Sequence, residues 1–162
     1  MNMNYLFIGL LMLLLVFISA CTSRTTTNTV SENSGLIEAS ESGTVLAGTT
    51  SKYIDFNKAD YERAKTENKV VLLDFYATWC LICIEEQKET VAAFDDLDNP
   101  NVIGFRVNYK DSDTDSDENA LAEEFGIIYQ HTKVIIKDGE VVQKALDSWD
   151  KDRFLSEINR FV

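Results

Sequence analysis

Two thiols three positions apart, Cys80 and Cys83, are the residues of this chain best suited to covalent chemistry. A C-x-x-C pair is by itself compatible with half of a zinc site, a redox couple or coincidence. Its setting narrows the choice. The run from Val70 to Tyr76, VVLLDFY, reads as a strand buried on both faces. Cys80 follows within a few residues and opens a helix. Backbone N–H groups and the helix dipole favour negative charge there, and the thiolate is the nucleophilic form of cysteine. Cys83 lies one turn on, close enough to close a disulfide with Cys80, and is the less exposed sulfur. Asp74 is a carboxyl within the apolar strand. Burial there would raise its pKa, and a polar residue at the strand edge is the alternative.

The elements that must hold these groups follow from the pattern. Tyr53 to Phe56 alternates and predicts a short strand, and Asn57 caps a helix through about Glu67. The helix from Cys80 places Ile84, Gln87, Val91 and Phe94 near one face, with Glu85, Glu86, Lys88 and Glu89 mostly elsewhere. It ends by Asn99-Pro100, and Val102 to Tyr109 is the next strand. Asp115 or Ser116 caps a further helix, with Glu118 completing a capping-box pattern and Gly126 at its C′ position. Thr132 to Lys137 and Glu140 to Leu146 are strands joined by an Asp138-Gly139 turn, and a last helix runs from about Asp150 to Phe161. The order β-α-β-α-β-α-β-β-α predicts an α/β fold with a mixed central sheet and helices on both faces.

The N-terminus reads as an address. Tyr5 to Ile18 is almost wholly apolar. The run is shorter than the ~20 residues of a comfortable membrane span and fits the apolar core of a secretory signal. Ile18-Ser19-Ala20-Cys21 follows and resembles the lipobox of prokaryotic lipoproteins, which implies a lipid anchor on Cys21. The first five residues carry no Lys or Arg, so an uncleaved anchor helix is the alternative. Either places the remainder at the extracytoplasmic face of a prokaryotic membrane. Thr22 to Ser51 is rich in Thr, Ser, Asn and Gly and reads as a flexible tether, with a random-coil reach of roughly 30 Å. The expected organisation is a signal peptide over 1–20, a lipidated N-terminus and tether over 21–51, and one folded domain over 52–162.

Composition excludes other classes. The chain has 162 residues, 45% of them hydrophobic and 26% charged, enough for one core of ordinary size. Its net charge of -12 repels phosphate backbones and argues against nucleic-acid binding. Three cysteines are too few for a disulfide scaffold.

The segment DFYATWCLIC, with Trp79 directly before the first cysteine, resembles the active-site segment of the thioredoxin superfamily. FGIIYQHTKVIIKDGEVV resembles the stretch leading into that family's last two strands, and FRVNY its middle strand. The Cys-x-x-Cys-x-x-Glu spacing through Glu86 and the lipobox look most like the C-terminal domain of the DsbD family. The resemblance implies a thioredoxin-like three-layer α/β/α fold and a protein disulfide oxidoreductase with no cofactor beyond its own disulfide and no metal. It implies that Cys80 attacks a substrate disulfide, Cys83 resolves the adduct and Asp74 takes the proton of the resolving thiol. Trp79 would cover the disulfide and meet substrate; an aromatic packed in the core is the alternative. Arg106 falls where the family often has a lysine facing the aspartate; an ordinary surface cation is the alternative. Implied partners are protein disulfides and a membrane electron donor.

Two departures bear on function. Leu81-Ile82 stands between the cysteines in place of Gly-Pro, which alters redox poise. His131, the only histidine, occupies the position of the family's cis-proline, ahead of Thr132. A trans Gln130–His131 peptide is therefore expected, because cis costs ~3–4 kcal/mol without proline. His131 and Thr132 then belong to the loop facing the sulfurs. His131 would tune the thiolate, sit idle at the surface, or join both cysteines on a metal. The alternative function is a non-catalytic module holding a metal or peptide through Cys80, Cys83 and His131; a static disulfide is the third reading. The acidic run Asp111 to Glu118 resembles the start of a calcium loop but lacks its sixth-position Gly and has Ala122 at the twelfth, and is expected to be a solvated loop.

Overall fold

The computed structural model describes residues 42–162. The expected signal peptide, Cys21 and most of the expected tether lie outside the described residues. The elements are β1 (Val45–Ala47), β2 (Lys52–Asp55), α1 (Lys58–Thr66), β3 (Val70–Tyr76), α2 (Leu81–Asp96), β4 (Val102–Asn108), α3 (Ser116–Glu124), β5 (Thr132–Lys137), β6 (Glu140–Ala145) and α4 (Lys151–Asn159). They build one sheet in the order β1-β2-β4-β3-β5-β6. β2, β4 and β3 run parallel, while β1, β5 and β6 pair antiparallel with their neighbours.

β3 is central because its whole length is apolar except Asp74, and every one of its residues is buried. α1 and α3 cover one face through Tyr61, Ala64, Leu121 and Ala122. α2 and α4 cover the other through Ala93, Phe94, Phe154 and Ile158. Local signals fix the ends of these elements. The Asn57 side chain accepts from the N–H groups of Ala59 and Asp60, and Asp115 and Glu118 form a reciprocal capping box. Asp138 and Gly139 both take left-handed backbone, φ 53° and 79°, as a two-residue hairpin turn requires. Among the described residues no helix is long and apolar enough to cross a membrane.

Two features differ from the sequence reading. The sheet takes in residues ahead of Lys52. Val45–Ala47 forms an edge strand on β2, and the N–H groups of Ser42 and Gly43 both donate to the buried Asp60 carboxylate at 2.8 Å. A few apolar residues within polar sequence suffice at a sheet edge when a buried acceptor anchors them. The second difference is the inward face of α2. Cys83, Glu86, Thr90, Ala93 and Phe94 are buried, whereas Ile84, Gln87 and Val91 are only half-buried. The expected stripe is displaced because Glu86 has a buried partner.

Gly104 on β4 lies against the stacked rings of Tyr53 and Phe94, 5.3 Å between centroids. A Cβ there would stand 2.5 Å from Phe94 Cζ and 2.8 Å from Tyr53 Cδ2. Gly104→Ala is expected to destabilise the fold by about 1–3 kcal/mol through overpacking, read as a lower urea midpoint with an unchanged slope. An unaltered midpoint would show that the rings yield freely.

Candidate active site

Cys80 is the N-cap of α2, and Cys83 lies in its first turn. The two are joined as a disulfide with 5.2 Å between Cα atoms. The Cys83 N–H donates to Cys80 Sγ at 3.2 Å, so the open end of the helix is aimed at that sulfur. Cys80 is half-buried and Cys83 buried, which makes the first sulfur the approachable one. The loop ahead of the pair is tied down from the loop after β4. Thr78 donates its N–H and hydroxyl to the Asp111 carboxylate at 2.5 and 3.0 Å. The bond from the Thr78 N–H is the main reason that the Asp111 carboxyl lies below its ordinary range. The indole N–H of Trp79 donates to the Lys110 carbonyl at 3.0 Å. Within the acidic run, Asp111 thus braces the site and Asp115 caps α3.

The segments that carry the cysteines and His131 expose apolar side chains. Leu81 is 78% exposed and Ile128 65%, with Trp79, Ile82 and Tyr129 also exposed. Such a rim suits extended, partly unfolded peptide. Beside it a groove of ≈ 670 Å³ runs between α2 and the start of α4, lined by Leu81, Ile82, Glu85, Glu89, Trp149 and Asp150.

Asp74 is buried in mid-β3 and accepts a hydrogen bond from the Tyr53 hydroxyl at 3.0 Å. Its pKa is raised from 3.8 to about 6, chiefly by burial and next by the charge of Glu86; Lys133, Tyr53 and Arg106 pull it back down. Arg106 is Asp74's register neighbour on β4, but its guanidinium pairs with Asp55 at 2.6 Å and lies over the Tyr76 ring. Arg106 thus faces Asp74 in register but is committed to Asp55, and it acts on Asp74 only as the weakest of those influences.

The cation nearest in influence to Asp74 is Lys133, its cross-strand partner on β5. Lys133 and Glu86 form an ion pair at 2.5 Å with side chains 0% and 3% exposed. Glu86 also accepts the Trp149 N–H at 2.7 Å, and Lys133 donates to the Asp147 carbonyl at 2.7 Å. Three charged groups thus lie on the face of the sheet that α2 covers. The sequence pattern gives no role to Lys133 and sets Glu86 off the apolar stripe of its helix, so their pairing is not apparent from it. The available signals were a lysine one residue into an apolar strand and a carboxylate one helical turn beyond Cys83.

His131 holds φ 53°, and its N–H donates to the Phe75 carbonyl at 2.7 Å. The Gln130–His131 peptide is trans, as expected. One imidazole nitrogen and the two sulfurs all lie within 4.8 Å of one another. Thr132 is buried and its hydroxyl donates to the Tyr129 carbonyl at 2.7 Å, so it shapes the loop.

Asp74 makes stability depend on pH. It keeps its proton to about 6 in the fold, against 3.8 as the ordinary value. Between those values the fold holds the extra proton, so stability falls as pH rises, and above about 6 the buried carboxylate is a standing cost. Asp74→Asn is expected to stabilise the protein at pH 8 by about 2–3 kcal/mol, with the gain vanishing near pH 4. Urea unfolding at both pH values tests this, and an equal difference at the two would contradict it.

Comparison with known proteins agrees with this geometry. The family model described as Thioredoxin matches residues 52–160. Thioredoxin H4 of Arabidopsis thaliana is 33% identical over 118 residues, covering 70% of this chain and 87% of that protein. The thioredoxin of Bacillus subtilis (strain 168) is 29% identical over 99 residues, covering 61% of this chain and 88% of its own. Among solved structures, a mutant thioredoxin from Halobacterium salinarum NRC-1 superposes with a TM-score of 0.52 at 26% identity, covering 67% of this chain and 88% of that one. The thioredoxin from Aeropyrum pernix gives a TM-score of 0.56 at 15% identity, covering 76% and 97%, a likeness of fold alone.

Proposed function

Because the chain belongs to the thioredoxin family and carries the Cys80–Cys83 pair of a thiol–disulfide oxidoreductase, we propose that it reduces protein disulfides outside the cytoplasm while held to a membrane through Cys21. One observation carries the redox reading: an approachable sulfur at the mouth of α2 is joined to a buried one, on the face that holds a carboxyl raised to about 6.

The chemistry follows from that arrangement. In the reduced protein the first turn of α2 stabilises negative charge on Cys80 Sγ. The Cys80 thiolate attacks one substrate sulfur and expels the other as a thiolate, leaving a mixed disulfide. Cys83 then attacks Cys80 Sγ. The Cys80–Cys83 bond forms, the mixed disulfide breaks, and the second substrate sulfur leaves. Asp74, ionised above about pH 6, accepts the Cys83 proton, and the two leaving thiolates end protonated. Two electrons and two protons pass to substrate, so each cycle needs a dithiol donor. Outside the cytoplasm a membrane protein with its own dithiol fills that part. The apolar rim, with Glu85, Glu89 and Asp150 along the adjoining groove, favours extended substrate segments whose apolar side chains are flanked by basic ones.

The reduction potential of the Cys80–Cys83 couple tests the direction. A value near −270 mV, about that of a reductant, is expected, and one near −120 mV, about that of a strong oxidant, would reject it. Tethering is tested separately. Radiolabelled fatty acid should enter the wild-type chain in a bacterial host and not Cys21→Ser; an unlabelled wild type would remove the anchor from the proposal.

A further inference from the structure

We propose that the reduced pair and His131 together form a binding site for a thiophilic divalent cation of the zinc class. This rests on the redox reading, since only the dithiol state frees two sulfur ligands, and it adds a second, redox-gated ligand to the same site. Among the described residues, Cys80, Cys83 and His131 are the group whose donor atoms converge, all within 4.8 Å of one another. In a tetrahedral zinc centre two thiolate sulfurs stand about 3.8 Å apart, and a sulfur and an imidazole nitrogen about 3.6 Å. Reduction of the S–S bond lets the sulfurs part to that spacing, and the imidazole nitrogen needs to approach them by roughly 1 Å at most.

The ligands come from two elements that the sheet holds in place. The sulfurs sit in the first turn of α2. His131 leads into β5, pinned by its N–H to Phe75 and held in a backbone region uncommon for residues other than glycine. A side chain held in that conformation beside two sulfurs matches a ligand whose direction is fixed in advance. Three protein donors leave a fourth position for water or an incoming thiolate. Binding is a ligand exchange with no change of oxidation state: two thiols lose their protons, two metal–sulfur bonds form, and the two thiolates neutralise the dication. The bound cation occupies the nucleophile and shields both sulfurs from oxidation, while the disulfide form offers no such site.

The test uses the full chain carrying Cys21→Ser, purified in detergent, reduced with a phosphine and titrated with cobalt(II) alone under argon. One cobalt per chain is expected, with sulfur-to-cobalt charge transfer and the intense visible bands of tetrahedral coordination, bleached by zinc. The oxidised protein should give neither. His131→Asn, which tolerates left-handed backbone, should bind at least about tenfold more weakly, and Cys83→Ser should lose much of the charge-transfer intensity. Equal affinity in wild type and His131→Asn, or a pale six-coordinate spectrum, would overturn the site. Disulfide exchange by the same protein in chelator is measured in parallel. Its absence would strike the redox function while leaving a tetrahedral cobalt spectrum intact, and its presence beside a failed titration would strike the cation site alone.

Discussion

Cys80→Ser should lower the rate of insulin reduction with dithiothreitol by at least about three orders of magnitude, to the level of the reductant alone. The N-terminus of α2 stabilises a thiolate, but a serine hydroxyl stays protonated near neutral pH, so the same N–H groups have no anion to hold. Cys83→Ser should fail differently. Cys80 remains approachable and still attacks, but no second thiol releases the adduct, so a mixed disulfide accumulates and is visible on a non-reducing gel. Retention of a tenth of the activity in Cys80→Ser would show that another group opens the substrate bond. Trapping by Cys80→Ser instead of Cys83→Ser would exchange the two roles.

The second large effect concerns stability. Lys133→Met should cost about 3–5 kcal/mol, a large part of the roughly 5–15 kcal/mol that a domain possesses. The substitution keeps the volume and leaves Glu86 buried with only the Trp149 N–H for support; its other oxygen, Oε2, already lacks a hydrogen-bond partner. The Asp147 carbonyl also loses its donor. Glu86→Leu in the same background removes the stranded charge and should recover most of the loss. A single variant within about 1 kcal/mol of wild type would show that the pair contributes little. The variant also has a functional signature. Lys133 pulls the Asp74 pKa down, so its loss should move the Asp74 titration above about 6 and shift the acid limb of the pH profile of thiol exchange upward with it.

Much of the fold could be read from the chain because its central elements are locally consistent. VVLLDFY is apolar on both faces because α1 and α3 cover one side of β3 and α2 and α4 the other, and its limits match those read from sequence. Asn57, Asp115, Asp138 and Gly139 act within a few residues of themselves, so capping and turn rules found them. β1 escaped because its stability comes from Asp60 on α1 and from β2, neither visible in the sequence around Val45. The cysteines and Asp74 were legible from spacing and surroundings. Glu86 and Lys133 were not, because each looks like a surface residue until the partner is known, and 47 positions separate them. The two readings open for Arg106 could not be separated for the same reason, since its pairing with Asp55 is decided across strands.

The backbone at His131 bears on how such a protein can change over generations. Histidine and proline are neighbours in the genetic code, yet a proline ring holds φ near −65°, roughly 120° from the 53° found here, and has no N–H to give the Phe75 carbonyl. A switch to proline at this position would strain the 128–131 segment unless that segment were rebuilt first. The two versions of this loop are therefore separated by an epistatic barrier, and lineages carrying histidine would tend to keep it or drift towards asparagine and glycine.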